Sequence, residues 1–139
     1  MIKKTFTYMN FNDEKVTETC YFNISKGELA AKSAEEGEGL KEKLERVAES
    51  KNRYEILGII KEFILFAYGE KTSDGRSLMK TPEITKAFEC SEPFSMLYTQ
   101  MYTDANAFTE FIKGVMPKDL MANVNVDEAE IKDLPLGIS

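Results

Sequence analysis

Residues 2–8 and 15–22 alternate apolar and polar side chains with period two, and the alternation stops at Ser25, where a helical period takes over. In the first stretch Ile2, Phe6 and Tyr8 share one face against Lys3, Thr5 and Thr7; in the second, Val16, Cys20 and Phe22 oppose Thr17, Thr19 and Tyr21. Successive side chains of a strand point to opposite faces, so each stretch has one face to bury. Asn10-Phe11-Asn12-Asp13-Glu14 between them is rich in turn formers, and the three segments together predict a β-hairpin. Ser25 and Glu28 have capping-box spacing: the hydroxyl accepts from the N3 amide while the carboxylate reaches back to the N-cap amide. Ile24 and Leu29 stand where a hydrophobic staple needs them.

The rest of the chain reads as helix. Lys26 to Ala34 forms the first, and Glu35-Glu36-Gly37-Glu38-Gly39 breaks it. Leu40 to Ser50 carries Leu40, Leu44, Val47 and Ala48 as one stripe. Asn52 caps a third helix, Arg53 to Tyr68, which is apolar around most of its circumference apart from Glu55, Gly58, Glu62 and Lys61. A helix of that kind belongs in the middle of a fold. Gly69 is placed to close it as a left-handed residue, and Lys71 to Lys80 reads as a polar loop turning at Ser73-Asp74-Gly75. Thr81-Pro82 starts a helix faced by Ile84, Ala87 and Phe88. Ser91 and Pro93 start another, striped by Phe94, Leu97, Tyr98 and Met101; Asp104 caps the last, striped by Phe108, Phe111, Ile112 and Val115 and ended by Pro117. The predicted class is mainly α with an N-terminal β-hairpin (α+β), a bundle of about five or six helices packed on the hairpin. Residues 1–120 form the one domain. Residues 121–139, with four acids against one lysine and no aromatic, read as an acidic, mobile tail.

Composition removes several classes of function. A chain of 139 residues buries roughly two-thirds of its unfolded surface, enough for one core. The formal charge is -6, and the lysines and arginines are interleaved with acids, so there is no cationic patch for phosphates or an anionic membrane. There is no histidine, which removes serine triads, Cys-His dyads and ordinary zinc sites. Cys20 and Cys90 make no disulfide framework and fit a reducing compartment. The alternation after Lys4 excludes an apolar export signal at this end, and the longest apolar run, Phe63 to Tyr68, is too short to span a bilayer.

Catalytic candidates are few. Glu89-x-x-Glu92 could share a magnesium ion, as in some all-helical nucleotide hydrolases, but Ser91 and Pro93 break the helix between the two roles. Asp127-Glu128-Ala129-Glu130 lacks the glycine and alternating oxygens of a calcium loop, and Ser73-Asp74-Gly75-Arg76 lacks the lysine and glycines of a phosphate loop. No catalytic, cofactor or metal residue is therefore assigned. The informative surplus is apolar: Leu65 and Phe66 widen an already wide face, Met96 and Tyr102 lie off the main stripe of their helix, and Met116 and Met121 follow near the end of the domain. Thioethers and aromatics suit a surface that grips apolar partners of varied shape, so these six are the candidate partner-binding residues.

Taken in order, Met1-Ile2-Lys3-Lys4-Thr5-Phe6-Thr7-Tyr8, Tyr21-Phe22-Asn23-Ile24-Ser25-Lys26-Gly27-Glu28-Leu29, Tyr68-Gly69-Glu70-Lys71-Thr72-Ser73-Asp74-Gly75-Arg76 and Phe111-Ile112-Lys113-Gly114-Val115-Met116-Pro117-Lys118-Asp119-Leu120 resemble the tail assembly chaperones of long-tailed (siphovirus-type) phages and prophages of Gram-positive bacteria. The resemblance spans residues 1–120 and lies in order and spacing; Ala30 to Gly39 departs from the family's usual apolar and acidic stretch, which leaves the first helix's length open. It implies a non-virion factor that binds the tape measure protein, keeps it from aggregating and assists tail tube subunits to polymerise around it, in the host cytoplasm. Such families often add a longer product by ribosomal frameshifting. The tail tube protein and a second copy of the chain are further partners this role allows; nucleic acid, membrane and cofactors are not expected. Two other readings compete. An acidic inhibitor mimicking DNA needs carboxylates along one face, whereas Lys and Glu are interspersed here. A helical magnesium-dependent nucleotide hydrolase needs further inward-facing acids at helical spacing.

Overall fold

The computed structural model describes residues 1–118. Strands β1 (Ile2–Met9) and β2 (Lys15–Phe22) pair antiparallel with Ile2 opposite Phe22 and Met9 opposite Lys15. Asn10 builds the turn: its side-chain oxygen accepts from the amides of Asn12 and Glu14, both at 2.9 Å, and Asp13 takes a positive φ of 60°. On the outer face Thr5 bonds Thr19 and Thr7 bonds Thr17, each at 3.0 Å; on the inner face Phe6, Cys20 and Phe22 are buried. Cross-strand pairs of this kind hold a ribbon together where packing does not.

Among the described residues six helices follow: α1 (Lys26–Glu36), α2 (Leu40–Ser50), α3 (Arg53–Ala67), α4 (Pro82–Glu89), α5 (Glu92–Thr103) and α6 (Ala105–Val115). The predicted caps form. Ser25 and Glu28 make both bonds of the capping box, Asn52, Thr81, Ser91 and Asp104 each accept a first-turn amide, and Gly37 closes α1 at a left-handed φ of 73°. Helix α3 is central, burying Ile56, Ile59, Ile60, Phe63, Ile64 and Ala67. Ala87, expected on the buried face of α4, is exposed, and Phe88 carries that face.

The segment after α3 differs from the expectation. Gly69 does not close the helix as a left-handed residue. Tyr68 is already extended, at φ −68° and ψ 141°, and strands β3 (Tyr68–Lys71) and β4 (Leu78–Met79) complete a sheet in the order β1-β2-β3-β4. The residues read as a polar loop are thus a second hairpin, with the expected turn at its tip: Thr72 donates to Asp74 at 2.6 Å and Gly75 has φ 75°. Gly69 is needed for close approach. A Cβ there would lie 2.5 Å from Leu78 Cγ and 3.0 Å from the Met79 carbonyl oxygen.

The core is aromatic where sheet meets helices. Phe22 packs edge-on against Tyr68, Phe88 and Phe111 at centroid distances of 5.5–5.7 Å, and Tyr68 stacks on Phe88 at 3.8 Å. The strand-to-helix crossing is tied on both sides, Asn23 donating to the Ala67 carbonyl and Ile24 to that of Val115, each at 2.8 Å.

Candidate partner-binding surfaces

The six candidate residues separate in space. Leu65 and Phe66 sit half-buried on the outer side of α3, where they line one groove with Glu28, Lys32, Glu62, Lys80 and Thr85. Phe66 also lines a narrow neighbouring cleft between α1, α2 and α3, walled by Leu29, Leu40 and Phe63, with room for about 30 Å³. Met96 stands on the outer face of α5, 39% exposed. Tyr102 is half-buried, its ring edge-on to Tyr98 at 5.3 Å. Met116 is a correction: at 2% exposure it belongs to the core and is not spare. The chain turns extended there while the Met116 amide still bonds the Ile112 carbonyl, and this holds the thioether inside. Met121, the acidic segment 121–139 and Asp127 to Glu130 lie outside the described residues.

The grooves around Phe66 are edged by charge. Lys32 lies 4.8 Å and Lys80 5.4 Å from the ring centroid, within cation–π range. Lys32 and Lys43 each reach both Glu36 and Glu62, at 2.8–3.2 Å. The Lys43 ammonium, against a smaller cost of burial, and that of Lys32 hold Glu36 down to about 2. Lys80 donates to three acceptors: the carbonyls of Asn23 at 2.6 Å and Phe66 at 2.9 Å, and Glu28 at 2.7 Å. Burial works against the charge on Glu28, but Lys80 and the Ser25 amide outweigh it and its pKa is lowered. A lysine in a polar stretch gives no sign in sequence that it will close the end of α3.

Sequence reasoning missed other exposed apolar groups. Phe11 is 88% and Tyr54 86% exposed, with Met9 and Met79 also at the surface. Two signals were available. Phe11 lies among turn formers, where no side chain reaches a core, and Tyr54 shares its helix face with Gly58 and Lys61.

Of the two carboxylates at magnesium spacing, Glu89 is engaged by lysines. Glu89 pairs with Lys61 at 2.7 Å and Lys86 at 3.5 Å, while Glu92 opens the next helix. Among the described residues no group of three or more His, Cys, Asp or Glu side chains could hold a metal ion, and no helix is long and apolar enough to cross a membrane. Cys20 is buried, and that burial, helped by Glu18, pushes its thiol up to about 12; Cys90 is exposed.

The described residues form a small α+β body whose accessible chemistry is apolar side chains edged by paired charges. The sequence model of the phage tail assembly chaperone family matches residues 1–135, and the chain belongs to that family. No curated relative and no solved structure matches it.

Proposed function

We propose that this chaperone acts on the tape measure protein, keeping it soluble and assisting tail tube subunits to polymerise around it. The observation that carries the reading is membership of the tail assembly chaperone family over residues 1–135. On this reading the protein works in the cytoplasm of the bacterial host, is left out of the finished virion, and serves a siphovirus-type phage or prophage of a Gram-positive bacterium. Residues 1–120 act as one domain and 121–139 as an acidic appendage. The role requires no catalysis. A tape measure protein offers long apolar helical stripes, and side chains such as Leu65, Phe66 and Met96 offer adaptable apolar contacts without a rigid polar lock. Weak contacts of this kind let tube subunits displace the chaperone.

The DNA-mimic alternative is disfavoured by charge pairing. Glu28, Glu36, Glu62 and Glu89 are each held by lysine, and Glu38 by Arg46 at 2.7 Å, so no bare row of carboxylates forms from them. The experiment is co-expression with the tape measure gene of the same locus, followed by fractionation and pull-down. The partner should be soluble and co-purify with wild type, and should precipitate beside Leu65→Asp/Met96→Asp. A folded double variant that still solubilises it would place the contact elsewhere.

A further inference from the structure

Helix α1 is held to the body differently from its neighbours. None of its residues is fully buried; Leu29 is its one apolar side chain packed on the core, while Ala30, Ala31 and Ala34 face solvent. Charge does the holding. Glu28 reaches Lys80 at 2.7 Å, Lys32 reaches Glu62 at 3.1 Å, and Glu36 reaches Lys43 at 2.8 Å. Beneath α1 runs the cleft walled by Leu40, Phe63 and Phe66. At its C-terminal end the chain turns through Gly37, left-handed, and Gly39, a natural hinge.

We propose that α1 is an electrostatically latched lid that occupies a helix-binding groove in place of a partner. Its opening exposes Leu40, Phe63 and Phe66 and frees Lys80 and Lys43 from Glu28 and Glu36. The occupant is then an amphipathic helix that reproduces what α1 offers: two acidic residues eight positions apart, meeting Lys80 and Lys43, with larger apolar side chains between them on the same face. Glu28 and Glu36 stand at this spacing on α1 itself, and the single Leu29 between them lines the cleft. The inference stands on the geometry of α1 and does not depend on the tape measure reading.

Two measurements on the full chain test it. Salt shortens the screening length from about 8 Å at physiological strength to about 3 Å at 1 M. Amide hydrogen exchange of residues 26–36 should therefore accelerate with salt while that of α3 stays constant. Equal response of α1 and α3, or none, would overturn the lid. The second uses a labelled synthetic helix with Glu at positions i and i+8 and Leu between, and a copy with Lys at both. The Glu peptide should bind wild type, and should bind Glu28→Gln/Glu36→Gln about tenfold more tightly, because the competing lid is released. Phe66→Asp should abolish binding, and the Lys peptide should not bind. Binding unaffected by the lid variant, or equal for both peptides, would overturn the groove. Unchanged exchange of α6 in each variant certifies the fold. A lid that fails while co-expressed tape measure protein stays soluble would leave the proposed function standing.

Discussion

Cys20 and Cys90 are the same residue type in opposite environments. Cys20 sits inside the hairpin's packed face beside Glu18, and Cys90 follows α4 in the open. The thiolate is the reactive form, so a thiol held up to about 12 stays inert near neutral pH. A disulfide reagent at pH 8 should label one thiol of the native protein within minutes and the second only in denaturant; rapid labelling of both would show that the hairpin opens readily. Glu36 makes a related argument for acid. Its carboxyl ionises near 4.5 when free and near 2 when folded against Lys43 and Lys32. A carboxylate with a lowered folded value stabilises above the unfolded value and loses that effect as pH falls toward the folded one. Chemical shifts of α1 should hold steady from pH 7 to 5 and move toward coil between about 4.5 and 2, ahead of those of α3. Simultaneous loss in both helices would argue against a separately held α1.

At the scale of elements, the same capping chemistry serves helices with different anchors. Helix α3 would survive the loss of its Asn52 cap because six buried side chains hold it. Helix α1 rests on its capping box, Leu29 and ion pairs. An N-cap serine is worth about 1 kcal/mol, and this corresponds to roughly fivefold in an opening equilibrium. Ser25→Ala should therefore speed exchange of the α1 amides about fivefold and leave α3 and α6 unchanged. No change in α1 would show that the box is energetically idle. The β3–β4 hairpin illustrates the opposite case. Its strands have four and two residues, too short for period two to be visible, and they exist because Gly69 lets Leu78 and Met79 come close.

For the whole molecule, the two methionines Met96 and Met116 separate surface from interior. Burying an unpaired charge is among the few single changes that cost more than about 4 kcal/mol. Met116→Asp should unfold the chain or lower its urea midpoint severely, whereas Met96→Asp should leave the midpoint within about 0.5 kcal/mol of wild type in stability terms. If both unfold, the outer face of α5 is part of the core and the proposed contact surface shrinks to the grooves around Phe66.

The elements that sequence determined are those with local causes. Alternation marked the first hairpin, and a hydroxyl, amide or carboxylate cap marked the start of α1, α3, α4, α5 and α6 within a residue or so. Those signals act between neighbours three or four positions apart, so the chain alone carries them. Tertiary structure decided what depends on distant partners: β3 and β4, the burial of Met116, and Lys80 reaching carbonyls at Asn23 and Phe66 and a carboxylate at Glu28. The candidate surface was half legible for the same reason. Leu65, Phe66 and Met96 could be marked as surplus to a stripe, but which surplus side chain meets water depends on which helix crosses above it. Above Phe63 and Phe66 that helix is α1, held there mainly by charges from three separate parts of the chain.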